Sequence, residues 1–311
     1  MIQNCLAKIT FEDGYLLQLG NKQGWQLVPT EGVRLEVEEL ARIMRLKSCE
    51  PNGYPKVFFI KSGTGSWQCE NKTTSPAKNM GEVFTGVGWE PHDLVELRVW
   101  SHDNMPDFVC EIRNEMGDSE LNILRLRLSL YPIYQWAQEV GGLPLHAGLV
   151  ERDGKGILLA APADTGKSTC CRRLPPPWKA LCDEETLVLS NDVKHYIAHP
   201  FPTWSDYFRK RSERTWDVQR HIPVSAVFFL EQSEEDEVIP LGKGESAVLA
   251  QQSAMQVCYR YFTHLDHEQV RTRKEILFEN ACQLAKTVPT FKLRVSLKGR
   301  FWEKMESVLQ Q

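Results

Sequence analysis

Hydrophobic positions follow two rhythms along this chain, every second residue and every third or fourth. Ala7-Lys8-Ile9-Thr10-Phe11 and Tyr15-Leu16-Leu17-Gln18-Leu19 predict two strands around a Glu12-Asp13-Gly14 turn, with the glycine free to take positive φ. Val33, Val37, Leu40, Ala41 and Met44 recur at helical spacing and predict an amphipathic helix over 33–47. Glu50–Pro55 carries turn chemistry, and Val57-Phe58-Phe59-Ile60 is a strand-like apolar run. Residues 62–80 are rich in Ser, Thr, Gly, Lys and Asn and read as a long exposed loop. Three more runs, 82–87, 94–100 and 108–112, predict strands, and the alternation over 94–100 fits a strand with one wet face. Residues 1–117 are therefore expected to form a mostly antiparallel β (α+β) domain.

Leu121, Leu124, Leu128, Ile133, Trp136, Ala137 and Val140 predict a bridging helix over 118–142, kinked or divided at Pro132 and ended by Gly141-Gly142. Beyond it, strand and helix patterns mix, and residues 143–311 are expected to form an α/β domain. Leu143–Val150 and Ile157–Ala160 predict a hairpin, with His146 on its first strand. A helix runs from Lys167 to Leu174 and stops at Pro175-Pro176-Pro177. Trp178–Glu185 reads as a second core strand ending in acids. Residues 186–198 read as a hairpin turning at Ser190-Asn191-Asp192. His199-Pro200-Phe201-Pro202-Thr203-Trp204-Ser205 reads as a rigid aromatic loop that could hold a substrate, its course fixed by two prolines. Val224–Leu230 is a buried strand, 245–262 and 266–287 are helical, Phe291–Val295 alternates, and Arg300–Leu309 is a short amphipathic helix.

Composition narrows the function classes. A length of 311 residues suits about two domains. A net charge of −4, with no Lys/Arg block, leaves no footprint for nucleic acid. No apolar run reaches the ~18 residues that span a bilayer. The Met1–Leu6 start lacks the basic-then-apolar pattern of a secretory signal. Nine cysteines, an odd count without any Cys-x-x-Cys, point to reduced thiols and a cytoplasmic protein.

The candidate chemistry gathers around Ile157–Thr169, which reads as strand, tight loop and helix start. Gly166-Lys167-Ser168-Thr169 matches the end of a phosphate-binding P-loop, with Ala161, Pro162, Ala163, Asp164 and Thr165 as the rest of the loop. In such a loop backbone N–H groups surround phosphate oxygens, the lysine reaches the β- and γ-phosphates, and the serine hydroxyl binds Mg²⁺. Three departures stand out. Ala161 occupies a glycine position, Pro162 has no N–H, and Asp164 brings a negative charge. A chance Gly-Lys-Ser in a solvated loop is the competing reading. Asp183 and Glu184 follow the next predicted strand, where a metal-binding or base-forming carboxylate belongs; a charged turn is the alternative. His92 and His102 read as surface or turn histidines. His264, Asp266, His267 and Glu268 lack a partner at metal-ligand spacing.

His146-Ala147-Gly148-Leu149-Val150, the P-loop end and Leu181-Cys182-Asp183-Glu184, in that order, resemble the catalytic domain of the HPr kinase/phosphorylase family over about residues 143–300. Within that superfamily, Gly141–Ala147, Leu174–Trp178, His199–Trp204 and Leu293–Trp302 are similar to the kinase-like component of SynChlorMet cassettes. The resemblance implies an HPr-kinase-like P-loop fold and a kinase using ATP (or GTP) and Mg²⁺. It implies Asp183 as general base toward a Ser or Thr hydroxyl, Glu184 as a second acid near the metal, Lys167 and Ser168 on phosphate and Mg²⁺, and His146 lining the site. It also implies a peptide substrate, a ribosomal precursor peptide in a peptide-modification pathway. No counterpart of the loop that contacts HPr is evident, which argues against HPr itself. HPr kinases are oligomers, and the different N-terminal half leaves a homo-oligomer open. A nucleotide-gated peptide-binding protein, a P-loop hydrolase and a small-molecule kinase remain as alternatives.

Overall fold

Apolar runs set the strands, and the connections between them decide which strands pair. A computed structural model describes residues 14–50, 53–62, 84, 88–112, 119–192, 195–208 and 213–309. The chain divides into two units, Met1–Gln18 with Gln23–Pro132 and Leu19–Lys22 with Ile133–Gln311.

In the first unit β1 (Gly14–Gln18) pairs antiparallel with β2 (Gly24–Pro29) and with β3 (Lys47–Cys49). The Tyr15 strand thus finds its hairpin partner downstream. Gly14 lies in the strand, opposite Cys49, and not in a turn, and an added Cβ there would meet the Leu27 carbonyl oxygen at 2.7 Å. The expected strand Ala7–Phe11 lies outside the described residues. A 3₁₀ turn leads into α1 (Arg34–Met44), whose buried face is Val37, Leu40, Ala41, Ile43 and Met44. The remaining strands are β4 (Lys56–Lys61), β5 (Trp89–Leu94), β6 (Leu97–His102) and β7 (Met105–Ile112). Leu94–Trp100 is therefore not one strand, since Val95-Glu96 turn the chain between β5 and β6.

The seven strands run β3-β1-β2-β4-β7-β6-β5. The pairs β2–β4 and β4–β7 are parallel and the others antiparallel, and β2 reaches β4 by a crossover through α1 and β3. Val28, Phe58, Ile60, Trp89, Trp100 and Val109 form a buried cluster on this sheet. Most of the loop expected over 62–80 lies outside the described residues. Of the strand expected over 82–87, Phe84 alone is described, and it is helical.

The predicted bridging helix is two helices, α2 (Ser119–Leu128) and α3 (Tyr131–Glu139). Pro132 sits in the first turn of α3, where its missing N–H costs no hydrogen bond.

The second unit holds β8 (Leu143–Leu145), β9 (Ala147–Arg152), β10 (Lys155–Ala160), α4 (Lys167–Arg173), β11 (Lys179–Cys182), β12 (Glu185–Asp192), β13 (His195–Phe201) and α5 (Trp204–Phe208). It continues with β14 (Ile222–Gln232), β15 (Glu237–Pro240), α6 (Lys243–Cys258), α7 (His267–Thr287), β16 (Thr290–Val295) and α8 (Phe301–Leu309). The sheet order is β11-β9-β10-β14-β13-β12-β8, with β16 on β14 and β15 on β16. β10 and β14 are parallel, as are β14 and β16, and the outer pairs are antiparallel. β10 is apolar and buried from Gly156 to Ala160, as suits a central strand.

Three expectations change here. β11 is an edge strand, separated from β10 by β9. Ser190 to Asp192 belong to β12, so they do not form the hairpin turn. His199 to Phe201 belong to β13, and Trp204 and Ser205 open a short helix, so 199–205 is no free loop.

Cys170, Cys171, Trp178, Phe228, Leu293, Phe301 and Met305 join α4 and α8 to one face of the sheet. Arg173 donates to the Ser296 and Gly299 carbonyls and lies over the Phe301 ring, which fastens α4 to the C-terminal segment. Asp266 and Gln269 form a capping box at the start of α7. Among the described residues no helix is long and apolar enough to cross a membrane.

Candidate functional site

The loop 161–166 joins β10 to α4. Its last residue, Gly166, has φ +103 and Asp164 has φ +60, so two of its residues use the left-handed region. An added Cβ on Gly166 would meet nothing within 4 Å. Pro162, Ala163 and Asp164 are exposed, Thr165, Gly166 and Ser168 half-buried, and Thr169 exposed. Lys167, the first residue of α4, is buried. Its Nζ donates to the carbonyls of Ala161 at 2.9 Å and Pro162 at 3.1 Å.

His146 is not on a strand. It occupies the bend between β8 and β9, with its backbone N–H donating to the Ser253 carbonyl on α6. Its Nδ1 lies 2.7 Å from Gln256 Oε1 and 3.5 Å from Lys167 Nζ. An N–H on Nδ1 satisfies Gln256 Oε1. The ammonium, which has donors only, is then a close neighbour of that nitrogen and not its bonding partner.

Asp183 and Glu184 form the connection between edge strand β11 and β12. Both are held by the start of α5. Buried Thr203 donates to Asp183 Oδ1 at 2.5 Å. The Ser205 N–H and hydroxyl each donate to Glu184 Oε2 at 2.9 Å. Arg214 Nη1 lies 3.7 Å from Asp183 Oδ1 and 3.3 Å from Asp206 Oδ2, with its guanidinium over the Trp216 ring. Burial pushes the Asp206 carboxyl up, Asp183 and Glu184 push it further, and Arg214 opposes them.

One electrostatic relationship joins the loop to the acids. Burial pushes the Lys167 ammonium down to about 8, while the fields of Glu184, Asp183 and Asp164 work in the opposite direction. The thiols beside them are inert by the same logic. Burial raises Cys170 to about 11, Cys182 to about 12 and Cys171 well above its ordinary value.

Two residues of the expected substrate segment are committed elsewhere. His199 is fully buried; its Nδ1 faces the Val218 carbonyl at 2.8 Å, and its Nε2 accepts from the Gly20 N–H at 3.1 Å. Trp204 is fully buried as well. Thr203 and Ser205 bond Asp183 and Glu184. Among the described residues no group of three or more His, Cys, Asp or Glu could hold a metal ion. Asp183 Oδ2 and Glu184 Oε1 are the acid oxygens not taken up by these donors.

Gln256, Asp206 and Arg214 complete the site and were not singled out from the sequence. A signal for Asp206 existed, because Thr203-Trp204-Ser205-Asp206 has the spacing of a helix start. Gln256 and Arg214 carry no local signal, since long-range folding brings them in.

The family model described as SynChlorMet cassette protein ScmC matches residues 108–310. No curated protein matches the chain.

Proposed function

The chain belongs to the SynChlorMet cassette protein ScmC family, and from that premise we propose that it is an HPr-kinase-like phosphotransferase. It would transfer the γ-phosphoryl group of ATP or GTP, with Mg²⁺, to a Ser or Thr hydroxyl of a peptide. On this reading residues 143–311 are the phosphotransferase domain, 1–117 an N-terminal β-rich domain and 118–142 their bridge.

The observation that carries the reading is a buried lysine ammonium at a loop–helix junction, within the fields of two adjacent acids. Phosphoryl transfer needs a fixed cation at the phosphates and a carboxylate at the acceptor. Lys167 has the chemistry for the first and Asp183 for the second. Gly166 leaves open space beside the loop, since an added Cβ there would meet nothing within 4 Å, and this favours a polyphosphate. The loop suits one less well at Pro162, which offers no N–H, and at Asp164, which carries a like charge. Mg²⁺ would neutralise charge on the triphosphate, with Ser168 Oγ and Glu184 Oε1 as the oxygens this chain offers. His146 would line the site beside Lys167, held by Gln256 on α6. A ribosomal precursor peptide as acceptor is the substrate class the family resemblance favours.

Incubation with MgATP and Ser- and Thr-containing peptides, followed by intact-mass measurement, tests this. A gain of one phosphoryl group supports the kinase, and ATP loss without peptide modification supports a hydrolase. Tight MgATP binding with neither outcome supports the nucleotide-gated binding protein. That second reading draws on Lys167 being engaged by the loop's own carbonyls.

A further inference from the structure

A carboxylate that takes a proton from a hydroxyl must present one oxygen at hydrogen-bond distance and hold it there. Asp183 stands in a two-residue connection between strands, and nothing in that connection alone fixes its side-chain torsions. Its hydrogen-bonded restraint comes from twenty residues downstream, and Arg214 Nη1 lies 3.7 Å from the same oxygen. Thr203 is buried, its β-branched side chain has restricted rotation, and its carbonyl accepts from the Asp206 N–H at 3.1 Å. Its hydroxyl donates to Asp183 Oδ1 at 2.5 Å. Ser205, two residues further on, supplies two donors to Glu184 Oε2 at 2.9 Å. Two consecutive acids are thus latched by two residues at the start of α5, Asp183 to Thr203 and Glu184 to Ser205.

We propose that Thr203 is the positioning residue for Asp183, holding Oδ1 so that Oδ2 receives the acceptor's proton, and that Glu184 fastens α5 to the acid pair. The proposal rests on the phosphotransferase reading. In the step it serves, the acceptor O–H bond breaks and its proton passes to Asp183 Oδ2. The acceptor oxygen forms a bond to the γ-phosphorus of the nucleoside triphosphate. The bond from that phosphorus to the bridging oxygen breaks, and its electron pair leaves with the nucleoside diphosphate. Asp183 then returns the proton to solvent.

The test compares full-length wild type, Thr203→Val, Thr203→Ser and Asp183→Asn in MgATP turnover, with a degenerate Ser/Thr peptide library as acceptor. Thr203→Val keeps the volume and removes the hydroxyl; it should lower kcat about 10- to 100-fold and leave KM for ATP within about 2-fold. Thr203→Ser restores the donor and should recover most of the rate. Unchanged kcat in Thr203→Val, or an equal loss in Thr203→Ser, overturns the positioning role. So does an increase in KM for ATP that matches the loss of rate, because it marks a general disturbance of the site. Full turnover in Asp183→Asn overturns the base assignment and the positioning role with it, whereas no turnover in the wild type overturns the phosphotransferase reading itself. A Thr203→Val chain that does not fold leaves Thr203→Ser to decide, with unchanged kcat supporting the role and a 10-fold loss opposing it.

Discussion

Lys167 Nζ donates to the carbonyl oxygen of Ala161 across 2.9 Å, so the ammonium is held by the loop it follows. The Pro162 carbonyl takes a second of its donors. A buried ammonium costs desolvation, and here two neutral carbonyls and the more distant fields of Glu184, Asp183 and Asp164 offset only part of that cost. The result is a lysine that titrates near pH 8.

Stability should therefore rise with pH across an unusual window. Unfolded Lys167 titrates near 10.5 and folded Lys167 near 8. Below pH 8 both states are charged and the burial cost is present in full. Between pH 8 and 10.5 the unfolded chain binds more protons than the folded one, so this group's contribution to stability rises with pH. The integrated effect is at most about 3 kcal/mol. Urea unfolding of wild type and Lys167→Met at pH 7.5 and pH 10 checks it. The wild type should gain relative to the variant, and a pH-independent difference would refute the assignment.

Polyphosphate binding should draw a proton into the site. An anion at the loop favours the charged ammonium, and near pH 8 about half of the lysines have a proton to gain. Calorimetric titration with MgATP at pH 8 in buffers of different ionisation enthalpy should give an uptake of about 0.5 proton, with Lys167→Met near zero. Equal apparent enthalpies in all buffers for the wild type would contradict this.

The strands and helices of the second unit were legible because each is a short apolar run with a clear stop. β10, α4, β14, α7 and α8 fall near their expected bounds. Pairing was not legible, because a run such as Lys179–Cys182 does not say which strand it joins. It pairs with β9 at the sheet edge, so Asp183 reaches the loop region from two strands away. The segment 199–205 was misread for a related reason. Prolines and aromatics suggest a stiff exposed loop, but they suit a buried strand end equally well, and the burial of His199 and Trp204 settles the matter. Lys167, Asp183 and His146 can be singled out from the sequence because local motifs mark them, whereas Gln256 and Arg214 arrive from other elements.

His199 should make the protein sensitive to acid. Its Nε2 accepts from the Gly20 N–H, so Nδ1 carries the proton and donates to the Val218 carbonyl. Burial pushes the imidazole down to about 4. Unfolded histidine titrates near 6.5, so the unfolded chain binds more protons between pH 6.5 and 4. Stability is present in full above 6.5 and falls with pH through that window, by up to about 3 kcal/mol. Denaturation midpoints at pH 7 and pH 4.5 should show a smaller loss for His199→Gln than for wild type. Parallel losses in the two chains would remove His199 from the explanation.

Gly148 on β9 packs against α4 and against the Cys182–Asp183 backbone, and the sharpest test of the local geometry is to fill it. A Cβ there would meet Cys171 Sγ at 2.8 Å, the Cys182 carbonyl oxygen at 3.3 Å and Asp183 Cα at 3.4 Å. The first contact is closer than atoms tolerate, and Cys171 is buried on α4 with little room to turn. Relief must come from a shift of α4 or of the Cys182–Asp183 backbone. Gly148→Ala should cost about 1–3 kcal/mol in stability. It should also displace either Lys167 or Asp183, the two groups proposed to act on opposite ends of the transferred phosphoryl group. Below the melting temperature of the folded variant, MgATP turnover should then fall by more than about 10-fold, because a misplacement near 1 Å is expensive in a positioned reaction. Asp183→Asn should reduce turnover without a comparable loss of stability, which separates the backbone effect from the chemical one. A Gly148→Ala chain as stable and as active as wild type would show that β9 and α4 are not in this close contact.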